Sequence, residues 1–260
     1  MGRMRVSDIV DWAESVAPTQ FAESWDNVGL LVGDPASEVR RVLLTVDYTA
    51  EVAREAAEHG CTTILTYHPP IFTGLKRITA GSMIYDALRT GMSIYCFHTA
   101  LDVAVGGTND MLADVLELKD CTPLRPLPNA TDGRGMGRVG RMDALPRRKV
   151  IGLIKAGLGL PQVMVSGPID GMVKTAAVCA GSCGDCLDDA LRRGVDLYLT
   201  GEMRHHDALK AAARGLTVVC TLHSNSERRI LDVLRTRLLK SYPALEVHIS
   251  QKDRDPFTWL

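Results

Sequence analysis

The sequence predicts an α/β fold of two similar intertwined halves, with mixed sheets flanked by helices, and three observations carry that prediction. Apolar runs of strand length alternate with helical segments along the chain. The same order returns in the second half, down to matching residues at one strand end. Between the two lies a stretch rich in Pro, Gly and Arg, the composition of a connection with at most short strands of its own. The expected organisation is therefore a first half over residues 1–120, a connecting segment over 121–149 and a second half over 150–260, an internal duplication.

Val6, Ile9, Val10, Trp12 and Ala13 recur at helical spacing, so a short helix is expected behind Ser7 or Asp8 as N-cap, with Pro18 as its stop. Residues 42–46 read as a strand, and Thr49 then caps a helix through Ala57 that ends at His59-Gly60. A second strand covers 62–66. After it, Tyr67-His68-Pro69-Pro70 forbids both a regular helix and a central strand. Residues 82–90 look helical and 93–97 form a third strand. In the second half, 176–179, a helix about 186–193 and the run 194–200 repeat the scheme. Ser93-Ile94-Tyr95-Cys96-Phe97-His98 lines up with Val218-Val219-Cys220-Thr221-Leu222-His223, each followed four residues later by a carboxylate, Asp102 or Glu227.

Of 260 residues, 46% are hydrophobic and 23% charged, which excludes disorder and collagen. Thirty Lys plus Arg against 31 Asp plus Glu leave a net charge of -1, with no overall positive field to hold a polyanion, so general DNA binding is not expected. No apolar run reaches the roughly 18 residues of a membrane span. The start, Met1-Gly2-Arg3-Met4-Arg5-Val6 and then the polar Ser7-Asp8, lacks a signal-peptide core, and Val6 stands where a myristoylation signal needs Ser or Thr. A cytoplasmic protein is expected, and its seven cysteines, scattered from Cys61 to Cys220, read as reduced thiols.

His98 with Asp102, and His223 with Glu227, place an imidazole and a carboxylate just beyond a strand, where open α/β sheets keep their ligand sites. Should either segment turn helical, the two groups share one face. Imidazole with carboxylate suits a divalent ion such as Zn, Mn, Fe or Co, and two such pairs supply most of a dinuclear centre. The bland reading of each pair is a surface histidine near a helix N-terminus with its acid stabilised by the dipole; repetition at the same strand end favours ligation. His68, pinned by two prolines, has its direction fixed at little entropic expense and makes a good ligand. Tyr67 is able to offer a hydrogen bond or to coordinate a metal weakly, and reads equally as a half-buried aromatic at the strand end.

Other features point to less. Cys183-Gly184-Asp185-Cys186 has zinc spacing but no second pair at finger spacing, so packing or a helix-start turn is the better reading. Gly181-Ser182-Cys183-Gly184 lacks the Lys of a phosphate loop. His205 and His206, adjacent on a helix, diverge by about 100° and suit a cap or an interface rather than one metal. Arg134, Arg138, Arg141, Arg147 and Arg148 form a charge run of the kind that is usually solvated.

Five ordered motifs carry a resemblance over nearly the whole chain: Trp25-Asp26-Asn27-Val28-Gly29-Leu30-Leu31-Val32-Gly33, Thr66-Tyr67-His68-Pro69-Pro70-Ile71-Phe72, His98-Thr99-Ala100-Leu101-Asp102, Leu199-Thr200-Gly201-Glu202 and His223-Ser224-Asn225-Ser226-Glu227. They look like those of the NGG-interacting-factor-like family, also labelled GTP cyclohydrolase I type 2 homologues or YbgI-like proteins. The Tyr67-His68-Pro69-Pro70 form, Gly201-Glu202-Met203-Arg204-His205-His206-Asp207 and Asp253-Arg254-Asp255-Pro256 are similar to the branch found in eukaryotes. The resemblance implies a paired-metal centre in a hexameric ring, with His68, Asp102, His223 and Glu227 as ligands and His98 as a further ligand or proton-transfer group. It also implies ring-opening hydrolysis of a purine nucleotide such as GTP. Tyr67 stands where the common bacterial His-His-Pro pattern has a histidine, so one ion should be well held and a second held more weakly. The large domain that many relatives insert between the halves is absent here. Two functional readings stay open: a metal-dependent hydrolase acting on a nucleotide or cyclic amide, and a non-enzymatic, metal-stabilised interaction protein whose partner is a regulatory protein.

Overall fold

The structure is a computed structural model that describes residues 3–128 and 130–258; Met1 and Gly2, read above for the absence of a leader, lie outside the described residues. The chain divides into two compact α/β units. Unit 1 comprises Met1–Leu101 and Ile230–Pro256, and unit 2 comprises Asp102–Arg229 and Phe257–Leu260. These limits differ from the composition-based ones at 120 and 150, because the chain leaves unit 1 early and returns to it near its end.

Unit 1 opens with helix α1 (Val6–Val16), which buries Val6, Ile9, Trp12 and Ala13 as the periodicity requires. Its N-cap is Arg5, not Ser7 or Asp8; Asp8 instead accepts the Arg5 amide at 2.7 Å from the third helical position, as in a capping box. Strand β1 (Gly29–Val32) follows, then β2 (Arg41–Thr45), helix α2 (Ala50–Glu58), β3 (Thr63–Thr66), helix α3 (Met83–Arg89), β4 (Ser93–Cys96) and helix α4 (His98–Val103). Thr49 caps α2 by accepting the Val52 amide at 3.3 Å. β2, β3 and β4 are parallel, and β1 pairs antiparallel with β4. Strands covered on both faces need apolar residues throughout. Leu43, Ile64 and Ile94 accordingly pack with Val52 and Ala56 of α2 and Ile84 and Ala87 of α3, each buried Leu or Ile contributing about 1.5–3 kcal/mol.

Unit 2 runs through α5 (Thr108–Val115), β5 (Lys119–Pro126), β6 (Gly135–Pro146), α6 (Arg147–Leu158), β7 (Met164–Ser166), β8 (Met172–Cys179), α7 (Leu187–Arg193), β9 (Leu197–Thr200), α8 (His205–Ala213) and β10 (Thr217–Cys220). Its six-stranded sheet has the order β5-β6-β8-β9-β10-β7, with β8, β9 and β10 parallel and the remaining pairings antiparallel. The stretch 121–149, expected as a connection, thus holds most of β5 and β6. Its strands escape recognition because β5 is a largely exposed edge that tolerates Pro123 and Pro126, while glycines let β6 approach closely. A Cβ at Gly140 would come within 2.8 Å of the Lys119 carbonyl oxygen. Arg138 is only 2% exposed rather than solvated. Its guanidinium donates to Asp110 and to the carbonyls of Gly135, Gly137 and Ala104, whereas Arg141 and Arg148 remain on the surface with Asp120 and Asp170.

The chain then returns to unit 1 through α9 (Ile230–Ser241) and β11 (Glu246–Ile249), which pairs parallel with β2 and completes the five-stranded order β1-β4-β3-β2-β11. Both sheets are mixed, and β2-α2-β3-α3-β4 and β8-α7-β9-α8-β10 follow one order of elements. Among the described residues, no helix is long and apolar enough to cross a membrane.

Candidate metal centre

In unit 1, β3 runs on into Tyr67 and His68, whose amides donate to the Thr45 and Val46 carbonyls at 2.9 Å each before Pro69-Pro70 ends the ladder. His68 Nδ1 lies 2.9 Å from Asp47 Oδ1. An ionised carboxylate only accepts, so Nδ1 carries the proton and Nε2 is the ring atom able to ligate. His98, the first residue of α4, sits at φ 36°, a left-handed conformation that costs a non-glycine residue on the order of 1–3 kcal/mol. Its Nδ1 lies 2.7 Å from Asp26 Oδ1. Asp26 also accepts the amide of Thr99 at 3.1 Å and its hydroxyl at 2.5 Å. Burial alone would raise the Asp26 pKa, but the hydrogen bond from His98 and then those from Thr99 outweigh it and hold the carboxyl below its ordinary range. The charge on Asp26 therefore persists at neutral pH and fixes the His98 ring.

The His68 and His98 rings stand 5.4 Å apart and almost perpendicular. Tyr67 touches both edge-on and, at 1% exposure, is fully buried rather than half-buried. On the open side, Trp25 and Phe72 approach His98 at 5.8 and 6.3 Å and each other at 5.8 Å, although 57% and 55% of their surfaces remain exposed. Asn27 donates to the Ile71 carbonyl at 2.6 Å and so ties the Trp25 segment to the segment that carries Phe72.

In unit 2, His223 Nε2 lies 3.3 Å from Glu227 Oε1, across the 3-10 turn Ser224–Ser226, and its Nδ1 lies 3.3 Å from Glu202 Oε2. Leu222, just before the histidine, holds φ 71°, so the end of β10 is strained as His98 is after β4. A separation of 3.3 Å is long for a charge-assisted hydrogen bond, normally about 2.7–2.9 Å. It matches two ligand atoms each roughly 2.1 Å from one ion at a near-tetrahedral angle. Gly181 explains how the loop after β8 comes so close. At φ 69°, a Cβ there would reach 2.8 Å from Glu227 Oε1 and 3.4 Å from His223 Nε2. Ser226 Oγ accepts the Gly181 amide at 2.8 Å and donates to the His223 carbonyl at 2.7 Å. The borderline donor set, its spacing and the glycine cradle all fit a divalent first-row ion.

Asp102, 8% exposed, lies at the fifth position of α4, where the helical period puts it on the face of His98. The fully buried Asn109 donates to the Asp102 carbonyl at 2.9 Å and accepts the Ala180 amide at 2.9 Å, which fixes the end of α4 against the loop of Gly181. His205 and His206 begin α8 with their rings edge-on at 5.2 Å. A cleft of 540 Å³ between α2 and α3 holds none of the expected site residues. Asp26, Asp47, Glu202 and Asn109 are the groups that sequence reasoning left without a role. Asp26 and Glu202 stand inside the quoted motifs, whereas Asp47 and Asn109 carry no local signal.

A family profile described as Duf34/NIF3 (NGG1p interacting factor 3) matches residues 4–256. A "GTP cyclohydrolase 1 type 2 homolog" of Clostridium perfringens is 31% identical to this chain and covers 99% of it and 100% of the relative. A "Protein NIF3 homolog" of Schizosaccharomyces pombe is 35% identical over 95% of each. Among solved structures, the Staphylococcus aureus hypothetical protein SA1388 superposes with a TM-score of 0.91 at 28% identity over the full length of both chains.

Proposed function

The chain belongs to the DUF34/NIF3 family, and from that premise we propose that it is a metal-dependent hydrolase acting on a nucleotide or a cyclic amide. The ligands in this reading are His68, Asp102, His223 and Glu227, holding one divalent ion of the Zn, Mn, Fe or Co type firmly and a second more weakly beside Tyr67. When bound, such an ion supplies Lewis acidity and lowers the pKa of water toward roughly 7. His98 exchanges a proton at Nε2, and Asp26 stabilises the imidazolium that this creates.

The observation that carries the reading is the doubly backed histidine pair, with Asp47 on His68 Nδ1 and Asp26 on His98 Nδ1. A carboxylate on the far nitrogen is what ligating and proton-transferring imidazoles require, and a merely structural pair of histidines has no need of two. The exposed faces of Trp25 and Phe72 beside His98 favour a planar ring in the substrate. The name of the Clostridium perfringens relative points the same way. Metal-reconstituted turnover on a panel of nucleotides, phosphoesters and cyclic amides tests this, with His98→Ala as control. Metal-dependent product lost in the variant supports it, and turnover that survives the variant or never occurs rejects it.

A second reading is an interaction protein that binds a regulatory partner, and a homo-oligomer, the hexamer of the family resemblance, belongs to either. Phe72, Leu75, Ile78, Met83 and Leu88 expose between 42% and 55% of their surfaces along one segment of unit 1, more apolar surface than a solvated loop needs. In this case the protein gains thermal stability with metal and shows no turnover on the panel. The seven free thiols suit the reducing cytoplasm under both readings.

A further inference from the structure

Three cysteines of unit 2 come from separate pieces of backbone to one place. Cys179 closes β8, Cys183 lies in the loop that follows, and Cys186 ends the 3-10 turn Gly184–Cys186 ahead of α7. Their sulfur atoms all lie within 4.8 Å of one another. Sulfurs bound at about 2.3 Å to a common ion sit roughly 3.8–4 Å apart, inside that envelope. Cys183-Gly184-Asp185-Cys186 lacked a partner in the sequence because the third sulfur comes from a strand end rather than from a second pair. All three are free thiols; Cys179 and Cys186 are buried, and Cys183 is partly open, which leaves an entry path.

The turn that presents them is held on two sides. Tyr198 donates its hydroxyl to the Cys183 carbonyl at 2.8 Å from beneath. From outside, Arg125 donates to the Asp185 carbonyl at 2.8 Å and to the carboxylates of Asp185 and Asp189 at 2.7–3.0 Å, which ties the turn to α7. Three thiols that served only as packing would need neither their mutual approach nor a braced loop, since a free cysteine packs as a small hydrophobe.

We propose that Cys179, Cys183 and Cys186 form a metal site separate from the His and Glu centre, a trithiolate that takes a soft d10 ion, Zn(II) or Cu(I). Binding exchanges the three thiol protons for the ion without any change of oxidation state. The loop it clamps is the one whose Gly181 lies against His223 and Glu227, so occupancy stiffens the roof of that pair.

The test uses the full chain stripped of metal under reducing conditions and refilled with Co(II) as a spectroscopic stand-in for Zn(II), or with Cu(I) in competition with a Cu(I) chelator. A sulfur-to-cobalt charge-transfer band is expected in the wild type and in His223→Ala, and its loss in Cys183→Ser, together with about one ion per chain fewer for Zn(II) or Cu(I). Alkylation of Cys183 in the wild type, followed by mass spectrometry, should slow when Zn(II) or Cu(I) is present, a readout independent of any variant. No sulfur band, with alkylation equally fast in the presence and absence of both ions, would overturn the proposal and leave the three thiols as core packing. A band lost in His223→Ala but kept in Cys183→Ser would overturn it too.

Discussion

The carboxylate of Asp253 accepts the Val46 amide at 2.7 Å across 207 residues of chain, and the Val46 carbonyl in turn accepts the amide of His68 at 2.9 Å. The backbone that carries one expected ligand is therefore fixed from the far end of the sequence. Asp253 is 6% exposed, and its amide donates to Ser250 Oγ at 3.0 Å, while the Ser250 hydroxyl donates to Glu55 of α2.

Removing that carboxylate leaves the Val46 amide buried without its charged acceptor. Asp253→Ala should lower stability by about 1.5–3 kcal/mol, read as a lower urea midpoint at unchanged m-value, and should weaken metal binding through His68. An unchanged midpoint would mean that water replaces the carboxylate without loss.

Asp26 and His98 should behave as a unit. His98→Ala is expected to cut turnover about 10²–10⁴-fold with little loss of tightly held metal. Asp26→Asn, which keeps the shape but removes the charge that orients the ring, should lose most of the same factor and add little in the double variant. Additive losses in kcat would separate the two roles.

Metal occupancy should depend on Glu227 and on the absence of a side chain at position 181. Glu227→Ala should reduce metal per chain by elemental analysis after dialysis. Gly181→Ala should do so as well, because its Cβ would occupy space 2.8 Å from Glu227 Oε1 on a backbone that disfavours side chains. Asp47→Asn leaves the ligand atom in place and should weaken affinity by about 10–100-fold only.

Acid should loosen unit 1 through Glu55. Burial raises the pKa of this group, but the hydroxyl of Ser250 and then the amides of Gln251 and Lys252 outweigh it, so the folded value lies below the ordinary one. Its contribution is complete above the unfolded value, about 4.3, and disappears as pH falls through the lower folded value. Melting temperatures measured from pH 7 down to pH 3 should therefore fall less steeply in Glu55→Gln than in the wild type, from a lower starting point. Parallel curves would remove Glu55 from the acid response.

The hexamer is implied by the family resemblance, and the exposed apolar segment of unit 1 is the surface proposed to serve it. On that proposal, light scattering at micromolar concentration should give a mass near six chains, and Leu75→Glu with Ile78→Glu should shift it to smaller species while the circular dichroism spectrum stays the same. A wild-type monomer would remove the hexamer.

The parallel strands and their helices were legible because each buries a continuous apolar run or a 3.6-residue stripe: residues 42–46, 62–66 and 93–97 appear as β2, β3 and β4 within a residue or two. β1, β5, β7 and β11 were not, since they are edge strands whose pairing partners are set by topology, and β6, an inner strand, was masked by its glycines and arginines. The same division holds at the site. His98 and His223 declared themselves by a repeated strand end. Glu227 came with His223 by the same spacing, but the carboxylates behind His98 and His68 did not show, because Asp26 stands 72 residues from His98 and Asp47 stands 21 from His68, distances at which no spacing rule operates.

The late return of the chain to unit 1 sets an order of events during synthesis. When the ribosome has released Leu101, the strands β1 to β4 exist but the outer edge of β2 has no neighbour; that neighbour, β11, emerges nearly 150 residues later, after the whole of unit 2. Unit 2 can close while the first half waits with an open parallel edge, the kind of surface that recruits foreign strands. A premature stop codon between positions 231 and 246 removes β11 and leaves that edge permanently bare, so such a product should meet chaperones and proteases as an aggregation-prone species even though every residue proposed as a metal ligand has been translated.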